Sequence, residues 1–337
     1  MVLEPLGLFM SIRMGVITMR SYVLKRIGLI FLTASIIIFL VFVFIKMLPD
    51  YQQAVLGVDP ETRALLFERE GYGKPILEQF IIWVRNLIAD GGLGRSLKLK
   101  RDIVKVMGER IPVSMRLNIF PYLLAIPTGI GLGIWAALKK NKLTDHTISI
   151  GVIFFISVPS FVVATMLQYY VVYIWKWLDT PFVLSNADFG IDPIRGITSY
   201  FMPMFVLLLG QVAGLTRVTR AELTEVLTSE FMLLCRTKGL SKRQATIRHA
   251  LRNGLVPIAP SIIGGFISIL SGSLIIERIF RVPGIGGVYL EAFNNFDYPL
   301  IMALLMFYTV IGLTAGLIVD LSYGVIDPRI RMGAGKR

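Results

Sequence analysis

A polar and basic stretch, Arg217 to Val256, lies between two long apolar runs and reads RVTRAELTEVLTSEFMLLCRTKGLSKRQATIRHALRNGLV. It holds three acids (222, 225 and 230) against eight Lys or Arg (217, 220, 236, 238, 242, 243, 248 and 252). Side chains of this kind recognise a partner through charge rather than carry out bond-breaking chemistry. On charge alone, a docking surface and a plain solvated basic loop are equally consistent with this stretch.

The chain offers little for catalysis or metal binding elsewhere. Its single cysteine, Cys235, excludes an internal disulfide and a Cys-based zinc site, and we expect it to be a small packing residue. The two histidines, His146 and His249, both fall in basic loops, so a histidine metal cluster is not expected. The sequence has no H-E-x-x-H, no G-x-S-x-G and no phosphate-binding G-x-x-x-x-G-K-[ST]. These absences argue against an intramembrane enzyme, and we expect no cofactor in this chain.

The composition predicts a membrane protein. Of 337 residues, 55% are hydrophobic and 17% charged, with a net charge of +13 and a mean hydropathy of +0.69. A nucleic-acid-binding protein would not divide its basic residues among loops between apolar runs, so no nucleic acid is expected as a partner. Six runs are long enough to cross a bilayer, which takes about 20 helical residues. We place these all-α spans near 27–47, 116–138, 147–175, 200–216, 257–276 and 300–321.

The distribution of Lys and Arg predicts the orientation of these spans. Basic residues outnumber acids in residues 1–26, in 139–146, in the 217–256 loop and in the tail from 322. Cytoplasmic loops carry such an excess, so we expect these four segments and both termini inside. No A-x-A-like cleavage site follows the first apolar run, which predicts an uncleaved anchor, with Met1, Met14 or Met19 as the start.

The basic stretch has helical punctuation. Thr228 and Ser229 are placed to cap a short helix, with Glu230 in its first turn. Lys238 and Gly239 supply a helix stop, since glycine accepts the left-handed conformation. Ser241 and Gln244 form a capping box that starts a second helix, and Asn253-Gly254 is predicted to end it. The expected shape is a short helix, a glycine corner and a second short helix.

The spans lack mid-span ionisable residues but carry small and polar ones. The missing Asp, Glu, Lys, Arg and His argue against an ion-coupled secondary carrier, which needs such groups along its path. Small residues at helical spacing favour close helix packing, and a polar wall of a translocation path is the alternative. Pro127, Pro159 and Pro203 are expected to kink helices. The two stripes are Ser157, Ser160, Ala164 and Gln168 in the third run, and Ser261, Gly264, Ser268 and Gly272 in the fifth.

Several motifs resemble the permease subunits of oligopeptide and dipeptide ABC importers, from about Met19 to Arg331. Residues 235–257 read C-R-T-K-G-L-S-K-R-x-x-x-x-R-H-A-L-R-N-x-L-x-P and resemble the family's cytoplasmic coupling loop, although Leu233-Leu234-Cys235 stands where the general signature has E-A-A. The other motifs are Gly91-Gly92-Leu93-Gly94-Arg95-Ser96, Glu277-x-x-Phe280-x-x-Pro283-Gly284-x-Gly286, Asp297-Tyr298-Pro299 and Asp327-Pro328-Arg329-Ile330-Arg331.

The resemblance implies a six-span, type I ABC-importer permease fold in a bacterial or archaeal cell membrane. It implies a second homologous permease, two ATPases that bind ATP and Mg²⁺, an external substrate-binding protein and a peptide substrate; nickel or another small solute stays open. The resemblance assigns the ATPase contact to Glu230, Leu234, Cys235, Lys238, Gly239 and Leu240. For the path, the candidates are Ser157, Ser160, Gln168, Gln211, Ser261 and Ser268.

The same resemblance divides the chain into five parts. The segment 49–114 lies outside, has a helical pattern from Ile76 to Ile88 and is either a contact surface for the binding protein or a structural cap. The parts are a cytoplasmic segment 1–26, a first helix 27–48, the outer segment 49–114, a five-helix core 115–322 that includes the 217–256 loop, and a cytoplasmic tail 323–337.

Overall fold

A computed structural model of the chain describes residues 4–48, 60–61, 64, 68, 71, 73–89, 92–184 and 190–326, with side chains from residue 23 onward. In these ranges the regular structure is helical, apart from one isolated bridge between Arg95 and Asp102. The α-helices are α1 Glu4–Met47, α2 Ile76–Ala89, α3 Ile103–Leu138, α4 Leu143–Ser157, α5 Ser160–Gln168, α6 Pro193–Ser199, α7 Phe201–Thr228, α8 Glu230–Thr237, α9 Lys242–Ala245, α10 Leu251–Leu255, α11 Ile258–Ser268, α12 Leu274–Ile279, α13 Ile285–Asn294 and α14 Tyr298–Ile326.

The helices confirm the predicted all-α membrane architecture. Five helical segments are long and apolar enough to cross a bilayer, and α4 with α5 supplies a sixth crossing if the bent pair is one span. The segments fall on the six predicted runs, although their ends differ. The tail motif at 327–331 lies outside the described residues.

The chain divides into two compact units, residues 1–91 with 302–337 and residues 92–301. In the first unit, Phe42 of α1 lies edge-on to Phe80 of α2, with ring centroids 5.3 Å apart. Arg26 forms an ion pair with Asp320 at 3.0 Å, which joins the first and last spans near the ends predicted to be cytoplasmic. The helical pattern predicted from Ile76 to Ile88 is confirmed as α2.

The second unit is built on the contact between α3 and α7. Gly129 and Gly133 of α3 form a small-x-x-x-small pair, and a Cβ on Gly133 would lie 2.5 Å from the Cβ of Thr219. Small residues of this kind let two helix backbones approach closely in a membrane. A buried cluster that includes Leu117, Val206 and Phe280 continues the packing along the same helices.

The helix α3 begins well before the predicted start at 116. Asp102 caps it, because its side chain accepts a hydrogen bond from the Lys105 N–H at 3.1 Å. The first turns carry charged residues, so an apolar-run criterion detects only the later, membrane-crossing part. Similarly, α7 continues past the predicted end at 216 as far as Thr228.

Two predicted spans are not single helices. The third run is divided at Val158 and Pro159, and its two halves α4 and α5 meet at 94°. Pro159 has no N–H to continue the ladder and restricts the residue before it, so the helix ends there. The fifth run ends as a helix at Ser271, because Gly272 has φ +69°. The short helix α12 follows after this corner.

Candidate functional site

The basic stretch forms the helix and glycine corner that its sequence predicts. Gly239 has φ +87°, and its N–H donates to the Arg236 carbonyl at 3.0 Å. The Leu240 N–H donates to the Cys235 carbonyl at 3.3 Å. These two bonds complete a Schellman motif, which satisfies carbonyls that the end of α8 would otherwise leave unpaired. The corner is therefore fixed by the backbone and requires glycine or a residue that tolerates positive φ.

The caps on either side of this corner differ from one another. The capping box is confirmed, since the Gln244 N–H donates to Ser241 Oγ and the Ser241 N–H donates to Gln244 Oε1 at 3.0 Å. At the start of α8, Ser229 occupies the predicted cap position, but its hydroxyl donates back to the Val226 carbonyl. The sequence located both helix starts, and only the second has a side-chain cap.

The second helix ends at Leu255, one residue after the predicted stop at Asn253-Gly254, but Gly254 does not act as a cap. The chain stays helical from Lys242 to Leu255, with a π-helical turn at Thr246–Ala250. Gly254 is buried because α10 packs against α7, and a Cβ there would lie 3.3 Å from the Leu223 Cα. This glycine allows close approach between helices rather than a stop. Pro257 then precedes α11, as expected.

The loop helices pack on α7 through a small apolar cluster. Met232 and Cys235 of α8 point inward, and each is 6% exposed. Cys235 is therefore a packing residue, as the composition suggested, and its side chain faces its own chain rather than outward. Leu240 packs against the same group, which ties the corner to the cluster. The buried members of the cluster are Ala137, Leu223, Met232, Cys235, Ala245 and Ala250.

The outward face of α8 is apolar, although the surrounding loop is basic. Leu233 is 63% exposed and Leu234 53% exposed. Phe231 is also exposed and lies edge-on to His249, with ring centroids 5.9 Å apart. Of the residues assigned to the ATPase contact, Glu230, Leu234, Lys238 and Gly239 are exposed, Leu240 is half-buried and Cys235 is buried.

Phe231, Leu233 and Ile247 are exposed apolar residues that the motif comparison did not select. The sequence of α8 could have indicated the exposed apolar positions. Residues 231 and 234 lie next to Met232 and Cys235, which are buried, and therefore fall on a different face of the helix. Exposed apolar residues rimmed by charges mark interaction surfaces. We call Phe231, Leu233, Leu234 and Ile247 the loop patch.

An ion pair near the start of the 217–256 loop joins this loop to the basic segment at 139–146. The Arg220 guanidinium donates from Nε to Asp145 Oδ1 at 2.5 Å and from Nη2 to Oδ2 at 2.9 Å. The Asp145 side chain is 1% exposed and also accepts from the Asn141 N–H at 2.9 Å. Two parallel bonds to one carboxylate fix both distance and angle. The start of α4 is thus held against α7 just before the loop.

The predicted path residues fall into two groups. Ser157 and Ser160 are exposed on either side of the 94° break, and Ser261 and Ser268 are exposed along α11. Close packing of α11 instead uses Gly265, whose missing side chain leaves room for the ring of Tyr122. The serine face of α11 is therefore open in the described part of the chain, as a path or a second subunit would require.

The two glutamines are more enclosed than the serines. Gln168 Nε2 donates to the Pro181 carbonyl at 2.8 Å and to the Ile279 carbonyl at 3.4 Å, so its amide ties α5 to the outer loops. Gln211 Oε1 is buried without a hydrogen-bond partner in the described residues. A buried acceptor of this kind is costly unless water or another chain supplies a donor.

Comparison with known proteins decides the family. Residues 129–332 match the sequence model of the binding-protein-dependent transport system inner membrane component. The chain belongs to this family. It is 32% identical to the dipeptide transport system permease protein DppB of Lactococcus lactis subsp. cremoris over 93% of this chain and all of the relative.

Two further relatives carry similar names. The dipeptide transport system permease protein DppB of Bacillus subtilis is 33% identical, over 93% of this chain and 99% of the relative. The oligopeptide transport system permease protein OppB of Salmonella typhimurium is 31% identical, over 93% of this chain and 100% of the relative. The chain is therefore an inner-membrane permease subunit of a binding-protein-dependent transport system and not an enzyme.

The glycine turn of the permease, which is predicted to be external, is anchored by the Asp297-Tyr298-Pro299 motif. Asp297 is buried and accepts hydrogen bonds from the hydroxyl of Ser96 and from the N–H groups of Leu97 and Lys98, the latter two at 3.1 Å. Ser96 Oγ in turn accepts from the Leu99 N–H at 2.9 Å. Two motifs that are about 200 residues apart in the chain thus form one structure.

The Glu277 motif of the permease is a second anchor on the same side. Glu277 is fully buried, and its Oε1 accepts from Ser114 Oγ at 2.7 Å and from the Ser273 N–H at 3.0 Å. Its Oε2 accepts from the N–H groups of Gly286 and Gly287 at 2.9 and 3.2 Å. The carboxylate thereby caps the N-terminus of α13, where an anion is stabilised. A Cβ on Gly284 would collide with this carboxylate, which explains one glycine of the motif.

Proposed function

We propose that this permease forms half of the translocation path of a peptide importer that is driven by ATP hydrolysis in separate subunits. The second half of the path comes from a homologous permease, and an external binding protein delivers the peptide. Support comes from the family and from relatives named for dipeptide and oligopeptide transport. The observation that carries the coupling is the loop patch, an apolar surface on a rigid helix within a basic loop.

The geometry of the loop supports a mechanical role. The helix α8 is fixed at one end by the Schellman corner and along its inner face by Met232 and Cys235. It follows α7 without a flexible linker, since only Ser229 separates the two helices. A force applied to the loop patch by an ATPase is therefore transmitted to α7 and the spans. Closure of the ATPases on ATP and Mg²⁺ opens the path outward, and hydrolysis resets it.

The orientation follows from the basic segments. A reporter fused at Asn141 or Arg243 should be cytoplasmic, and one at Gln79 or Asp188 should be external. The Asp145–Arg220 ion pair, which joins residues 139–146 to the 217–256 loop, supports this topology. Gln79 and Arg243 on the same side of the membrane would overturn the arrangement.

Uptake of a labelled peptide by a strain lacking this chain tests the function. Peptide uptake should be lost in the deletion strain and restored when the chain is expressed again. Uptake into membrane vesicles should require ATP. Purified alone, the chain should neither bind nor hydrolyse ATP, because its sequence has no phosphate-cradling loop. Normal peptide uptake in the deletion strain, with uptake of nickel lost instead, would exclude the peptide assignment.

A further inference from the structure

A cleft of about 470 Å³ lies beside the Glu277 anchor, on the side proposed to be external. Its volume falls in the roughly 300–1,000 Å³ range of small-molecule sites. It is lined by the first turns of α3, by α12 and by α13, and contains Arg110, Arg278 and Arg281 together with Glu277 and Glu291. The cleft lies at the outer end of the segment that carries Ser261 and Ser268, because α11 leads through Gly272 into α12.

The cleft has a surplus of positive charge that its own carboxylates do not neutralise. Three arginines stand against two acids. Both oxygens of Glu277 are already occupied by Ser114 and by backbone N–H groups. Arg110 donates from Nη1 to the Pro283 carbonyl at 3.2 Å, while its Nε is buried without a hydrogen-bond partner in the described residues. A buried guanidinium N–H without an acceptor is costly, so the hydrogen-bonding capacity of Arg110 is only partly satisfied by the chain itself.

Arg281 is held in an unusual position at this cleft. It has φ +52°, a conformation that non-glycine residues rarely adopt. Its guanidinium lies over the ring of Phe182, 3.9 Å from the centroid. This cation–π contact fixes the head group while leaving its N–H edge free to bind an anion. Backbone outliers of this kind concentrate at ligand sites. Arg278 lies in the last turn of α12, where the helix dipole favours a cation.

We propose that the cleft binds the α-carboxylate of the peptide as it enters the path, through Arg281 and Arg110. This inference rests on the proposed peptide-importer function. A free peptide ends in a carboxylate, and a guanidinium recognises that group through two parallel hydrogen bonds. No run predicted to span the membrane carries a Lys or Arg in its middle. The cleft is therefore where the chain offers cations at the outer end of α11.

The concave shape favours the peptide over a protein surface. A carboxylate on the binding protein would meet the exposed Arg281 first, whereas Arg110 is half-buried in the lining of the cleft and meets only a group that enters it. The alternative is that an acidic patch of the binding protein docks at the cleft, and the experiment below distinguishes this from peptide binding.

The test uses the assembled transporter in proteoliposomes, with the same wild-type binding protein throughout. Initial uptake rates are measured for labelled tri-alanine and for tri-alanine amide. The variants are Arg281→Gln and Arg110→Gln, and the control is Arg195→Gln, an exposed arginine paired with Asp179 outside the cleft. Since the binding protein is constant, a change in the ratio of the two rates reports on the permease alone.

Each cleft variant should lower uptake of the free acid roughly tenfold, the loss expected for one charge-assisted hydrogen bond, and uptake of the amide less than twofold. The control should leave the ratio unchanged. Titration of tri-alanine into the assembly without binding protein gives a second measure, with Kd raised to a similar extent in Arg281→Gln. If the transporter with Arg110→Gln does not assemble, the rate ratio and the Kd measured for Arg281→Gln are sufficient for the test.

Three results would overturn the inference. An unchanged ratio and Kd would show that the cleft does not bind the carboxylate. An equal fall for both peptides, with more binding protein needed for half-maximal uptake, would assign the cleft to protein docking. Absence of uptake of either peptide by the wild-type assembly would instead remove the peptide-importer proposal, and the inference with it.

Discussion

The loop at 217–256 is stabilised in the opposite way to the region around Glu277 and Asp297, which is predicted to be external and is here named the outer region. The loop is held by local hydrogen bonds, the Schellman corner at Gly239 and the capping box at Ser241, and it packs on small apolar residues. The outer region is held by two buried carboxylates whose partners include Ser96 and Ser114, more than 160 residues away in the chain. One region presents a rigid element to a partner, and the other fixes the ends of several helices together.

This difference predicts different responses to mutation. A local corner can fail without disturbing the spans, because its hydrogen bonds join residues that are close in sequence. A buried carboxylate that joins three helices cannot be removed without leaving several donors unpaired. Substitutions in the outer region should therefore reduce the amount of folded protein, whereas substitutions in the loop should reduce coupling at normal abundance.

Glu277→Ala should give the largest effect. It removes the acceptor for the Ser114 hydroxyl and for three N–H groups, which we expect to cost roughly 3 kcal/mol or more in the free energy of unfolding. The amount of the chain in the membrane and the thermal unfolding of the extracted protein are the measurements. Glu277→Gln should rescue only part of the loss, because its NH₂ group would face N–H donors. Glu78→Gln, at an exposed helical position, is the control, and wild-type stability of Glu277→Ala would remove the anchoring role.

Asp145→Asn should have the next largest effect and lower the free energy of unfolding by about 2 kcal/mol. This cost is smaller than that of breaking a fully buried ion pair, because Arg220 is one-third exposed. The charge swap Asp145→Arg with Arg220→Asp should not restore stability, because Asp145 also accepts from the Asn141 N–H. Thermal unfolding of the single and double variants measures both effects. Full rescue by the swap would show that the ion pair alone matters at this position.

The sequence predicts the loop better than the outer region for the same physical reason. Caps and stops are made by residues three to five positions apart, so Gly239, Ser241 and the starts of the helices on either side of them were located correctly. The anchors at Asp297 and Glu277 join segments that are distant in the chain, and a single sequence does not show which segments meet. The predicted stop at Asn253-Gly254 lies one residue before the observed helix end, but Gly254 serves close packing, and only its contact with Leu223 distinguishes that role from a helix cap.

The spans illustrate a second limit. Apolar runs identify the part of a helix that lies in the bilayer, but α3 and α7 extend beyond it with charged residues. Pro159 was recognised as a kink, whereas the angle of 94° depends on what the two halves pack against. The assignment of path and ATPase-contact residues stays a prediction, apart from the finding that Cys235 faces inward.

Gly239→Val should abolish peptide uptake while the chain reaches normal abundance in the membrane. A β-branched residue at φ +87° is strained by more than the roughly 1–2 kcal/mol of an ordinary left-handed residue. The corner would open, and α8 would meet its partner at the wrong angle. Pull-down of the ATPases and uptake are the paired measurements. Gly239→Asn is the matched variant, since asparagine tolerates this conformation and should keep most activity; normal uptake by Gly239→Val would contradict the coupling role.

The smallest effect concerns the two faces of α8. Cys235, the only cysteine, is buried and should react slowly with a maleimide in the native protein. Gly239→Val should speed that reaction several-fold, because Leu240 covers the same cluster. Leu234→Ser should weaken ATPase pull-down without changing the labelling rate. Rapid labelling of the wild-type chain would show that the inner face of α8 is open and would break the contrast between its two faces.

The right-angle break at Val158 and Pro159 has a consequence for the lipid boundary. At the break the last carbonyls of α4 and the first N–H groups of α5 lose the partners that a continuous helix would supply. Hydrocarbon chains offer no hydrogen bonds, so irregular backbone at membrane depth is tolerated only against protein or water. The break between Ser157 and Ser160 must therefore lie against protein or water rather than against lipid. A sequence feature that looks like an interruption thus marks a point of the third span that the hydrocarbon cannot surround.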